Sequence, residues 1–93
     1  MGQADNRADD TVGPHAAGVL EQVVDDEMIV FSPATDGYFA LNRSAREVWE
    51  LADGTRTATE IAQALADRYE IDAAELEDDV ATIVASFAQS KLI

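Results

Sequence analysis

The apolar positions of this 93-residue chain change their spacing at Asn42. Ahead of that point they come in short clusters. Val19, Leu20, Val23 and Val24 precede the polar pair Asp25-Asp26, and Met28-Ile29-Val30-Phe31 ends at Ser32-Pro33. Short apolar runs bounded by turn residues predict two strands joined by a hairpin. Asp36-Gly37 is a second hairpin signal, with the glycine expected to supply the positive φ of the turn, and Tyr38-Phe39-Ala40-Leu41 then reads as a short third strand. A three-stranded antiparallel meander is the expected result.

Beyond Asn42 the period is helical. Ala45, Val48, Trp49 and Ala52 share one face of a first helix, with Asn42 or Ser44 able to cap its start and Asp53-Gly54 able to stop it. Thr57-Ala58-Thr59-Glu60 has the form of a capping box, and Ile61, Ala62, Leu65 and Tyr69 follow as a second apolar face. Asp72-Ala73-Ala74-Glu75 repeats the box, with Ile71 placed to staple against Leu76. Leu76, Val80, Ile83, Val84 and Phe87 then make the stripe of a third helix, and Lys91 near its end has the sign that the carbonyl pole favours. Three strands followed by three helices predict an α+β domain of winged helix-turn-helix type over residues 18–93. Gly2, Gln3, Asp5, Asn6, Asp9, Asp10, Gly13 and Pro14 dominate residues 1–17 with little to anchor them, so a disordered tail is expected, with His15 a solvated residue within it.

Composition narrows the function. Nineteen Asp and Glu against six Lys and Arg give a formal charge of -13. Such a surface repels phosphate backbones and anionic membrane leaflets, so neither nucleic acid nor membrane is an expected partner. A winged helix that reads DNA needs bases on its recognition helix, whereas Glu70, Asp72, Glu75, Glu77, Asp78 and Asp79 crowd the start of the third helix. Those acids lack the alternate spacing around a glycine of a calcium loop; the helix dipole and water account for them, unless Asp78 or Asp79 meets a basic residue of a partner. With no cysteine there is no disulfide, thiolate zinc site or thiol nucleophile, which suits a reducing cytoplasm. No apolar run is long enough for a membrane span, and the N-terminus lacks the pattern of a secretory signal.

No nucleophile stands beside a base, and no pair of carboxylates marks a cleft, so an enzyme is not expected and neither a cofactor nor a metal is implied. Ser32, Ser44, Ser86 and Ser90 read as turn, cap and helix-surface residues. What remains is the third strand. By meander topology it lies at a sheet edge, where an extended peptide can pair with its open row of N–H and C=O groups while an amphipathic helix walls the groove. Phe39 and Leu41 are as well explained by the core. Against this reading stand an acidic winged-helix module for protein interaction in regulation, and a structural subunit of a larger synthetase.

The segment Tyr38-Phe39-Ala40-Leu41-Asn42, then Ala45, Val48-Trp49, Asp53-Gly54, Thr57 with Ile61 and Leu65, and Leu76-Glu77-Asp78-Asp79-Val80 ending in Leu92-Ile93 resemble the PqqD-like proteins. These are precursor-peptide recognition elements of ribosomally synthesised, post-translationally modified peptide (RiPP) pathways, and the resemblance runs from about Gly18 to Ile93. It implies a winged-helix-like fold that binds the leader segment of a precursor peptide and delivers it to separate maturation enzymes, such as a leader peptidase. It also implies that Tyr38, Phe39, Ala40 and Leu41 form the pairing strand, with Asp79, Val80, Ile83, Val84 and Phe87 of helix three as the opposite wall. The Tyr-Phe-x-Leu-Asn strand end and Trp49 look most like the freestanding partners of lasso-peptide proteases. The Leu-Ile terminus departs from the members that serve pyrroloquinoline quinone biosynthesis, the other pathway to consider.

Energetics set a condition on such binding. Ordering a leader costs about 1–2 kcal/mol per residue, more than backbone pairing at about 1 kcal/mol per bond returns. Apolar anchors at roughly 1.5–3 kcal/mol each must therefore supply the surplus. The acids near the expected groove favour a leader with basic residues or little negative charge.

Overall fold

A computed structural model describes residues 11–93; residues 1–10 of the expected tail lie outside the described residues. The elements are β1 (Leu20–Val24), β2 (Glu27–Ser32), β3 (Gly37–Leu41), α1 (Arg43–Leu51), α2 (Ala58–Tyr69) and α3 (Ala73–Gln89). They form the expected antiparallel meander in the order β1-β2-β3, followed by three helices.

Strand register separates the two faces of the sheet. Val30 lies opposite Glu21 and Phe39, and Met28 opposite Val23 and Leu41, so these residues share one face. Val30, Met28 and Leu41 are buried there under the helices. The alternate rows, Leu20-Phe31-Tyr38 and Gln22-Ile29-Ala40, form the other face, where Leu20, Ile29 and Tyr38 are exposed. Both hairpins turn on an aspartate, with Asp25 at φ 56° and Asp36 at φ 58°. Asp36, rather than the expected Gly37, therefore takes the left-handed position, which a short polar side chain tolerates.

Local chemistry sets the helix starts. The Asn42 side chain accepts a hydrogen bond from the Ala45 N–H at 2.9 Å and caps α1. Thr57 and Glu60 form the expected capping box on α2, at 3.1 and 2.8 Å. Asp72 occupies the N-cap of α3 without a side-chain bond, and Ile71 remains exposed, so the start of that helix lacks the reciprocal pair expected there.

The core gathers Trp49 and Val48 of α1, Ile61, Ala62 and Leu65 of α2, Val80 and Phe87 of α3, the inner strand residues, and Leu92. Phe87 meets the Trp49 ring edge-on at 5.3 Å. α1 lies centrally, touching β2 and β3 as well as α2 and α3.

Three expectations fail in the N-terminal part of the chain. Residues 11–17 are not a tail: Val12 is buried, its N–H donates to the Arg56 carbonyl at 2.7 Å, and its own carbonyl accepts from Gly54 at 2.8 Å. Gly13 makes this close approach possible, since a Cβ there would overlap the Ala52 carbonyl. His15 is no solvated linker residue. It stacks on Trp49 at 3.5 Å, and its Nδ1 lies 3.3 Å from Glu21, which also accepts from the Trp49 Nε1–H at 2.7 Å. Ser32 is likewise a buried residue rather than a turn residue, its hydroxyl 3.5 Å from the Lys91 carbonyl.

Candidate functional site

β3 pairs with β2 along one edge and with no other described strand along its second edge. In an antiparallel strand alternate residues turn their N–H and C=O groups outward, so this second edge is a template for one more strand. The chain leaves β3 at Leu41 and enters α1 through Asn42 and Arg43. The end of the open edge therefore leads straight into the first turn of α1.

That turn forms one lip of a cleft of about 310 Å³ lined by residues of α1, α2 and α3. Val48, Leu65, Leu76, Val80 and Ile83 make it apolar, and Arg43, Ser44, Glu47, Tyr69 and Asp79 supply its polar groups. The sequence spaces these residues for the purpose. Leu76, Asp79, Val80 and Ile83 recur at helical intervals of three and four, which puts them on one face of α3.

Glu47 organises the α1–α2 wall. The Tyr69 hydroxyl donates to it in a short hydrogen bond, while Arg68 approaches to 3.7 Å and Arg43 to 4.0 Å. The bond to Glu47 fixes the phenol proton and pushes the Tyr69 pKa up, helped by desolvation and by the carboxylate charge, with the two arginines opposing. The cleft is therefore not lined by acids alone: Arg43 stands on its α1 side and Asp79 on its α3 side, while Arg68, outside the lining, approaches the same Glu47.

The structure brings together some of the residues expected at the site and separates others. Asp79, Val80 and Ile83 line the cleft; Val84 is half-buried on the same helix outside its lining. Phe87 is a core residue, closed off by its contact with Trp49, and leaves no surface for a peptide. Leu41 is buried and Phe39 half-buried toward the helices, whereas Tyr38 and Ala40 are exposed on the far face of the sheet. These four residues offer a docked strand mainly their backbone. Tyr69, expected on a core face, instead stands at the cleft with 42% exposure. Arg43, Ser44 and Glu47 were not expected at the site. The Arg43–Glu47 spacing of four after the Asn42 cap was the available signal.

Among the described residues no three His, Cys, Asp or Glu side chains gather as a metal site, and no helix is long and apolar enough to cross a membrane. An open sheet edge that runs into an apolar helical cleft defines a winged-helix-like recognition domain.

Comparison with known proteins gives the family. The model for coenzyme PQQ synthesis protein D matches residues 27–93, and the chain belongs to this PqqD family. It is 34% identical over 68 residues to the PqqA binding protein of Xanthomonas oryzae pv. oryzae, covering 73% of this chain and 72% of that one. Its fold is similar to that of TbiB1 in complex with the TbiA(beta) leader peptide, with a TM-score of 0.74 and 24% identity over 86% of this chain and 93% of the other. It is also similar to the PqqD truncation of Methylobacterium extorquens PqqCD, a stand-alone RiPP recognition element, with a TM-score of 0.68 and 29% identity over 84% and 83% of the two chains.

Proposed function

We propose that this chain binds the leader segment of a ribosomally synthesised precursor peptide and presents the attached core peptide to separate maturation enzymes in the cytoplasm. The observation that carries the reading is the unpaired edge of β3, joined through Asn42 to the helix whose Arg43 and Ser44 line the apolar cleft. The leader adds as a fourth strand along Tyr38, Phe39, Ala40 and Leu41, and its next residues lay apolar side chains against Val80 and Ile83 beside Asp79. Val84 and Phe87 act indirectly, by holding α3 in place. Family membership supports this role, as do relatives whose names specify binding of PqqA or of a leader peptide.

The chain itself acts as an adaptor for separate enzymes, a role supported by its family and by a relative named for binding PqqA. The Tyr-Phe-x-Leu-Asn strand end and Trp49 support a lasso-peptide pathway with a leader peptidase as the enzyme partner. A second reading, service to pyrroloquinoline quinone biosynthesis, draws on the PqqA-binding relatives.

The test is titration of the full chain with the leader of the precursor encoded beside its gene. Saturable binding near micromolar, about -8 kcal/mol, with amide shifts along β3 and the cleft face of α3, is expected. Absence of binding at tens of micromolar would overturn the proposal, and binding without shifts on β3 would overturn strand addition.

A further inference from the structure

The cleft has more cationic capacity on its α1–α2 side than the protein itself uses. Two guanidinium groups, Arg43 and Arg68, converge on one carboxylate, Glu47, whose side chain is only 16% exposed. That carboxylate already accepts the Tyr69 hydroxyl, and the guanidiniums stay 4.0 and 3.7 Å away, outside hydrogen-bonding distance. Neither arginine makes a side-chain hydrogen bond to another described residue. Both heads are in water, with the Arg43 side chain 71% and the Arg68 side chain 50% exposed. By contrast Arg46, one turn along α1, is engaged by Glu50 at 3.1 Å. Arg43 shares the cleft lining with the apolar Val48, Leu65 and Ile83, and Arg68 reaches that lining through Glu47.

We infer that Arg43 and Arg68 receive a carboxylate of the docked peptide, so that the cleft selects an apolar anchor residue with an Asp or Glu beside it. This deepens the leader-binding reading and rests on it for the identity of the ligand. The guanidinium fork is built to take a carboxylate through two donors, and a peptide acid supplies the oxygens that Glu47 cannot. Asp79, on α3, keeps that acid on the α1–α2 side and so orients the peptide across the cleft. The selectivity runs against the charge of -13, which draws cations to the surface as a whole. A preference for anions at this one site is therefore diagnostic.

The experiment uses the full chain, isotopically labelled, and three probes that share an apolar tail: phenylbutyrate, phenylbutanol and phenylbutylamine. Amide and methyl shifts of Val48, Leu65 and Ile83 report binding in the cleft. Phenylbutyrate is expected to bind about threefold tighter than the alcohol, the scale of an exposed ion pair, and the amine weaker than either. Arg43→Gln and Arg68→Gln each reduce that preference, and the double variant abolishes it while alcohol binding is retained. Arg46→Gln leaves the preference intact. Dispersed spectra confirm that each variant is folded. Equal binding of all three probes, tighter binding of the amine, or no shifts at the cleft overturns the inference. The panel contains no leader, so these outcomes are separable from failure of strand addition: a leader that binds β3 while the probes show no anion preference sinks this inference alone.

Discussion

Val48 and Trp49 are neighbours in α1 and look into two differently built regions. On the Trp49 side the molecule is closed: the indole is fully buried between His15, stacked on its face, and Phe87, set T-shaped to it, with its N–H satisfied by Glu21. On the Val48 side the same helices leave a cleft whose apolar floor is reached from solvent between Arg43, Tyr69 and Asp79. The difference lies in what arrives from elsewhere in the chain. Residues 11–16 cross the Trp49 side, with Val12 hydrogen-bonded to Arg56 and Gly54 and Ala16 to Leu92, while no described segment crosses the other. One side closes its apolar surface into the core and the other leaves it open to solvent.

Substitutions can break or sharpen this contrast. The largest effect is expected from Trp49→Ala, which removes a fully buried ring and costs about 3–5 kcal/mol in urea unfolding, enough to leave a small domain marginal. Val12→Asp buries a charge where the N-terminal arm enters the core and should cost about 2–4 kcal/mol by the same measurement; a loss below about 0.5 kcal/mol would mean that the arm does not close the Trp49 side in solution. Ile83→Lys reverses the pattern: unfolding free energy should change by about 1 kcal/mol or less, while leader affinity falls at least tenfold, about 1.4 kcal/mol, in calorimetric titration. Thr57→Ala removes half of the α2 capping box and should cost about 1 kcal/mol in unfolding without altering leader affinity.

The smallest effect is the titration of Tyr69. Its folded-state pKa is raised above the ordinary 10.0, first by the hydrogen bond to Glu47. The bond's contribution to stability is thus fully present below the unfolded pKa and is lost as pH rises through the folded one. Glu47→Gln should return the phenol toward its ordinary value in an ultraviolet titration, and an unchanged curve would place the hydroxyl outside that bond.

The sequence carries most of the fold and about half of the site. Strand, turn and helix positions could be read because they depend on local chemistry: Asn42 and the Thr57–Glu60 box cap the residues that follow them, and the stripe of α3 repeats at its own period. Residues 11–17 could not be read this way. What orders them is contact with Trp49, Arg56 and Leu92, dozens of positions away, and a segment of mostly small residues shows no period that would reveal it. Within the site, periodicity puts Val80, Ile83 and Phe87 on one stripe but does not say which end of the stripe Trp49 occupies. That contact makes Phe87 core and leaves Ile83 at the cleft. Glu47 and Tyr69 meet across 22 residues, a pairing that only the packing of α1 on α2 creates.

The outer face of the sheet has a consequence for handling the protein. Leu20, Ile29 and Tyr38 lie in adjoining rows there with 65%, 39% and 75% exposure, an apolar panel that no described segment covers. Mutual repulsion among copies carrying -13 is what keeps such panels apart at neutral pH. That protection fades as the solution approaches the isoelectric point near 4.1, and concentrated salt screens it. Self-association through the sheet is thus expected to rise as acid or salt is added, which light scattering would read.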